Sequence, residues 1–294
     1  MKKNKSILNW LLICSTLVLT ACQQQTSSKT TDALIPEGSR IQNIQTGAIL
    51  TPQQLLNVLS AAPRVIVGEE HTNAAHHEIE LWLLQNLQQR RPQGSVLLEM
   101  ITQDQQPAIN ETRQSLAAGT TLSESQIQDA IHWNKGWPWP MYGDLVMTGL
   151  KGSAPLLSAN ISRTRITEIY QNPTFPTGEH SSQAAVRDKI SDTITVMHGG
   201  NIAAEQLTAM LAIQQHRDRF MAQQLLAAPQ PALLFVGGYH AAKDVGVPLH
   251  IQDLNSPPAV VLMLSTQGTT VTAAQADYVW SVPAAKNSAN TLAK

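Results

Sequence analysis

Cysteine is nearly absent from this 294-residue chain. There are two, Cys14 and Cys22, and both lie in the N-terminal stretch. A domain built from the remaining residues has no disulfide, no catalytic thiol and no thiolate metal ligand. Charge is also scarce, at 14% of residues against about 25% in an average globular protein. The formal net charge of −1 excludes the strong basic patch that nucleic-acid phosphates require. Aromatic residues make up only 4%, so any cluster of them carries information. Polarity comes instead from amides and hydroxyls, with 28 Gln alone. At this length the chain builds one large α/β domain or two smaller ones, and it buries a core without staples.

Lys2, Lys3 and Lys5 precede a mostly apolar stretch, residues 7–19. That stretch has the length of a signal-peptide core and is too short to span a bilayer. Leu19-Thr20-Ala21-Cys22 then resembles the lipobox of bacterial lipoproteins. The resemblance implies cleavage before Cys22 and acylation of its thiol with fatty chains such as palmitate. Gln23 follows rather than Asp, which by analogy with lipoprotein sorting favours the outer membrane. Cleavage would remove three of the 20 basic residues and none of the 21 acidic ones, leaving a balance of −4. The expected organisation is a signal segment 1–21, a Gln/Ser/Thr-rich flexible tether 22–36, a single domain 37–285 and a frayed tail 286–294. With a lipid as anchor, the folded domain itself needs no membrane-embedded part.

Aliphatic and β-branched runs at 63–67, 95–98, 155–159, 232–236, 259–264 and 278–282 predict strands. Helical spacing predicts helices over 73–91, over 105–131 with a break near Gly119, and over 141–150, 162–170, 183–197 and 202–226. Strands separated by helices predict an α/β fold, a mainly parallel sheet flanked by helices on both faces with a helical lid or subdomain. Ligands of such sheets bind beyond the carboxyl ends of the strands. Four strands end there in ionisable or polar groups: Gly68-Glu69-Glu70-His71, Glu99-Met100, Asn160, and Gly237-Gly238-Tyr239-His240.

Two carboxylates and two imidazoles, Glu69, His71, Glu99 and His240, suit a divalent metal such as zinc or manganese, general acid/base chemistry, or a structural network closing the sheet. His76 and His77 stand one helical turn on, and His76 shares a helix face with Glu80 at i,i+4. Arg217 and Asp218 lie on the long helix before the fourth strand, with Asp218 expected to point at the sheet end. Trp133, Trp137 and Trp139 fall within seven residues, a flat apolar surface suited to a planar ligand such as a porphyrin, or to a partner chain. Trp137 and Trp139 are the candidates for stacking on it. Tyr142, Tyr170 and His198 are candidate axial ligands to haem iron.

Val67-Gly68-Glu69-Glu70-His71 with His76-His77 resembles the opening motif of the ChaN-like haem-binding lipoprotein family. Leu98-Glu99-Met100 with Gln105-Gln106, and Ser158-Ala159-Asn160 with Arg163, resemble its second and third blocks. Gln215, Arg217, Asp218 and Met221 resemble the fourth. Gly237-Gly238-Tyr239-His240, followed by residues 244–250, resembles the last. The likeness runs from about residue 63 to 251. It implies an iron-regulated envelope lipoprotein that binds haem as a homodimer with stacked haems and serves haem-uptake machinery. Its propionates would meet Arg163 or Arg217. Thr72 stands where the family often has Asp, and Tyr239 stands within a block that is commonly Gly-Asn-Gly-His. The same Gly-x-x-His and Glu pattern resembles the wider group of Tiki, TraB and erythromycin-esterase proteins, some of them hydrolases. This keeps open a metal-dependent hydrolase built on Glu69, His71, Glu99 and His240. A non-catalytic interaction module is the third reading.

Overall fold

The computed structural model describes residues 32–284. The signal segment 1–21, the acylation site Cys22, most of the tether and the tail 286–294 lie outside the described residues. In chain order the elements are β1 (Arg40–Asn43), β2 (Ile49–Leu50), α1 (Pro52–Ala61), β3 (Arg64–Glu69), α2 (Ala74–Arg90), β4 (Ser95–Thr102), α3 (Gln106–Ala117), α4 (Glu124–Ala130), α5 (Trp139–Lys151), β5 (Leu156–Asn160), α6 (Arg163–Gln171), α7 (Ala184–Met197), α8 (Ala204–Ala227), β6 (Ala232–Gly237), α9 (Gly238–Ala241), α10 (Val247–Asp253), β7 (Val260–Thr266) and β8 (Tyr278–Val282).

The eight strands form one sheet in the order β2-β1-β8-β7-β3-β6-β4-β5. Neighbours from β8 to β5 are parallel, and β1 runs antiparallel to β2 and β8. The sheet is covered on both faces, so its central strands read as unbroken apolar runs. Successive side chains divide between those faces. Val65, Val67, Leu233, Phe235 and Leu262 join the core under α1, α2 and α5. Ile66, Leu234, Val236, Val261 and Met263 join the core under α7, α8 and α10.

Helix α2 begins where Asn73 accepts the Ala75 amide at 3.2 Å and ends ahead of Pro92. Ile79, Trp82, Leu83, Leu84 and Leu87 are all fully buried. Trp82 meets Trp280 of β8 edge-on, with ring centroids 5.4 Å apart. Among the described residues, no helix is long and apolar enough to cross a membrane.

Three differences from the sequence reading have local causes. A β1–β2 pair and α1 precede residue 63. Helix α1 is set by Pro52 in its first turn and by a capping box. In that box Thr51 Oγ1 accepts the Gln54 amide at 3.2 Å, and Gln54 Oε1 accepts the Thr51 amide at 2.8 Å. Leu34 and Ile35, placed in the tether by the polarity around them, pack against the core. Strand β4 runs on to Thr102 through an irregularity in its pairing with β5 between Leu98 and Thr102. Glu99 therefore sits inside the strand rather than beyond it.

The connections position the site. From β3 the chain passes through α2 to β4, crossing over β6. From β6 it returns through α9 and α10 to β7, crossing over β3. Two adjacent central strands thus send their connections in opposite directions, and a crevice opens beyond their carboxyl ends.

Candidate functional site

Glu69 ends β3 facing the α2 layer, and the chain then turns so that His71 folds back over the strand ends. Gly237 makes room for it: a Cβ there would lie 2.8 Å from the His71 ring. His71 Nδ1 is bonded to Glu69 Oε1, and its Nε2 lies 3.9 Å from Glu99 Oε1. His240 Nε2 lies 3.4 Å from that same oxygen. On its other side His240 Nδ1 pairs with Asp218 Oδ1 at 2.6 Å. The Gly237 amide donates to Glu99 Oε2 at 2.7 Å, and Asn160 Nδ2 donates to the Glu99 carbonyl at 3.1 Å. Carboxylate and imidazole therefore alternate in one row across the sheet end: Asp218, His240, Glu99, His71, Glu69.

Alternation makes so many buried charges tolerable. Burial alone would lower the His240 pKa, but Glu99 and Asp218 outweigh it and lift it to about 10. Burial would raise Glu99, yet His240 and His71 together with the Gly237 amide hold it at about 2. Asp218 is raised, because burial outweighs the attraction of His240. His71 is raised as well: burial opposes its charge, and Glu69 and Glu99 win. Of the two imidazoles in the row, His71 is the one open to solvent, with 41% of its side chain exposed against 7% for His240.

Glu69, His71, Glu99 and His240 of the row form the floor of a cleft of about 1060 Å³, at the upper end of small-molecule sites. Ile190, Ile194 and Met197 of α7 line one wall, Trp137 lines another, Arg163 and Arg217 bring positive charge to it, and Lys189 is paired there with Asp244.

The structure brings together Glu69, His71, Glu99, Asn160, Tyr239 and His240 from the strand ends with Arg217 and Asp218 of α8. Asp218 is held behind the floor by His240, while Tyr239 lines the cleft and is half-exposed. Neither His76 nor His77 lines the cleft. His76 is buried and accepts the Glu70 amide at 3.0 Å. Glu80 pairs with His77 at 3.0 Å rather than with His76, because the turn into α2 aims His77 beneath Glu69.

The three axial candidates also lie elsewhere. Tyr142 is fully buried, with its hydroxyl 3.4 Å from Glu69 Oε1 and from the His71 carbonyl. Burial and the charges of Glu69 and Glu80 push its pKa up, the opposite of what a phenolate needs. Tyr170 is exposed on α6, and His198 caps α7 with Nδ1 2.7 Å from the Ile194 carbonyl. Neither borders the cleft. Trp137 meets His71 edge-on at 4.9 Å. Trp139 turns away, donating to Glu124 at 3.0 Å and packing on Trp133 at 5.4 Å.

Glu69, His71, Glu99 and His240 do not draw together as a metal-ligand set, because they are spread along the row and paired with one another. Among the described residues, the group whose donor atoms do converge is Glu69, His77 and Glu80, all within 4.8 Å of one another. Glu80 is the member the sequence left out of the site. A carboxylate inside an apolar helix has no local signature.

A family model described as "Haem-binding uptake, Tiki superfamily, ChaN" matches residues 55–251. The chain belongs to this family. Its fold is similar to that of the solved structure "Cofacial heme binding to ChaN of Campylobacter jejuni", with a TM-score of 0.76 and 28% identity over 82% of this chain and 96% of that one. Fainter likenesses are to the type III effector HopBA1 (TM-score 0.40, 10% identity, 78% of this chain and 92% of that one) and to an erythromycin esterase EreC mutant (0.44, 11%, 79% and 78%). No curated protein matches the chain significantly. The expected mainly parallel α/β fold and the expected family are both borne out.

Proposed function

We propose that this chain binds haem in the strand-end cleft and serves haem or iron acquisition at the bacterial cell envelope. The observation that carries this is the cleft itself. It is large, with an apolar wall from α7 and Trp137 for a porphyrin face, and Arg163 and Arg217 for the propionates. Tyr239 is the tyrosine that lines it, and a phenolate suits ferric haem iron. The family, and the cofacial haem of the Campylobacter ChaN structure, support the same reading. The same proposal includes a homodimer with clefts facing, for which the exposure of two cleft-lining residues, Met197 at 67% and Tyr239 at 53%, is the supporting observation. Haem would then lie between two chains before transfer to uptake machinery. The lipobox-like run ending at Cys22 supports a lipid anchor, and Gln23 supports the outer membrane.

Haemin titration of the purified chain is the test. A Soret shift is expected, altered by Tyr239→Phe and weakened by Trp137→Ala, with sedimentation showing a dimer when haem is bound. Absence of any Soret change on adding haemin rejects the proposal. Loss of labelled palmitate in Cys22→Ser tests the anchor separately.

A second reading is hydrolysis. One observation favours it: His71 is oriented by Glu69 and open to the cleft, as a general base requires. Any ester or amide hydrolysis by the chain that survives Glu69→Ala removes this reading.

A further inference from the structure

Glu69, His77 and Glu80 meet behind the cleft, on the α2 side of the sheet. They are 3%, 5% and 0% exposed, and one donor atom of each lies within 4.8 Å of the others. Glu69 Oε2 and Glu80 Oε1 are buried without a hydrogen-bond partner. Buried carboxylate oxygens are costly unless a proton or a cation neutralises them.

The orientation of His77 is informative. Its Nε2 lies 3.2 Å from the His71 carbonyl. That oxygen can only accept, so Nε2 carries the hydrogen. In the neutral ring Nδ1 then turns a lone pair toward Glu80 Oε2, 3.0 Å away. Two lone pairs do not face each other at that distance unless something positive lies between them. A histidine whose outer N–H is given to a backbone carbonyl, with its inner nitrogen among carboxylates, has the arrangement of a metal ligand. A proton on Nδ1 would satisfy Glu80 Oε2 and leave the other two oxygens as they are. A metal ion answers all three groups.

We propose that Glu69, His77 and Glu80 form a site for one divalent first-row transition metal of the manganese, iron(II) or zinc kind, behind the haem cleft and sharing Glu69 with it. Carboxylate and imidazole donors without thiolate select that class, and the imidazole disfavours magnesium and calcium. The Tyr142 ring packs on His77 at 4.4 Å and closes the site from one side. Access runs through Glu69, whose other oxygen is held by the half-exposed His71. One carboxylate thus separates the cleft from the inner site.

The full chain, stripped with chelator and dialysed, is titrated with Mn²⁺, with Fe²⁺ under anaerobic conditions, and with Zn²⁺. The expected result is retention of about one ion per chain, a rise in melting temperature on metal addition, and affinity at least about tenfold weaker in Glu80→Gln and His77→Asn. Nitrogen coupling from a histidine in the Mn²⁺ paramagnetic resonance spectrum is expected in the wild type, retained in His71→Asn and lost in His77→Asn; coupling lost in His71→Asn instead would overturn the proposal. No retained ion and no rise in melting temperature with any of the three metals would overturn the proposal and assign a proton to the site. Undiminished binding in both variants would overturn it by placing the ion elsewhere.

Discussion

Asp218 holds His240 by Nδ1 at 2.6 Å, and this turns Nε2 to within 3.4 Å of Glu99. Asp218 is fully buried, and its second oxygen has no partner, so most of what it does passes through this one imidazole. Asp218→Asn leaves the shape and removes the charge. Breaking a buried pair from one side costs about 3–5 kcal/mol. Urea denaturation is expected to show a loss of that order, and proton resonance titration a lower His240 pKa. Unchanged values in both would separate Asp218 from the row.

The row also sets a pH optimum for stability. His240 holds its proton more tightly folded, at about 10, than at its ordinary 6.5. Its contribution is complete below 6.5 and is lost as pH rises through about 10. Glu99 is the opposite case, at about 2 against 4.5, so its contribution is complete above 4.5 and is lost as pH falls through about 2. Denaturant midpoints measured from pH 2 to 10 are therefore expected to peak between these windows and to fall on both sides. A midpoint that stays level from pH 6.5 to 10 contradicts the assignment of charge to His240.

Gly237 offers a narrow way to disturb the open end of the row. A Cβ at this position would lie 2.8 Å from His71 Cε1 and Nε2, and the ring is free to swing toward the cleft. Gly237→Ala is expected to fold and to break the His71–Glu69 bond. The His71 pKa, raised by Glu69 and Glu99, then returns toward 6.5. Resonance titration of His71 in the variant checks this, and a pKa that stays raised counts against it.

Stability away from the site rests on the α2 layer. Trp82 is fully buried and meets Trp280 edge-on at 5.4 Å. Trp82→Ala is expected to cost about 3–5 kcal/mol in chemical denaturation without changing the His71 titration. A loss below about 1 kcal/mol would mean that the layer closes over the gap.

The sequence showed some of these relationships and hid others, for physical reasons. Strands β3 to β7 were legible because each is an aliphatic run next to helical segments, and β8 was read with its observed bounds from its β-branched and aromatic residues. The pair β1–β2 was not: Ile41 is its only buried residue, so it has almost no hydrophobic pattern. Glu69, His71 and His240 were legible because each lies where the chain leaves a central strand, and Glu99 because it closes the apolar run of β4, although the strand runs on past it to Thr102. Glu80 was noted only for its i,i+4 spacing from His76, and its place beside His77 and Glu69 was not legible, since nothing in α2 says that a strand end lies against that turn. Tyr142, Tyr170 and His198 carry suitable chemistry, but their direction is decided by packing. Tyr142 was drawn inward by Glu69 and His77, while Tyr170 and His198 were left outside the cleft.

Strands β3 and β4 never touch each other. Each pairs along one edge of β6, which lies between them. Until Ala232–Gly237 has been synthesised, both have an open aliphatic edge, Glu99 lacks the Gly237 amide, and His71 lacks its seat. No N-terminal fragment that stops short of this segment can close the sheet, however many of its helices form. Folding must wait for a strand that arrives late and inserts in the middle, which makes it a long-range event rather than a progressive one. The floor of the cleft comes into being in that same step.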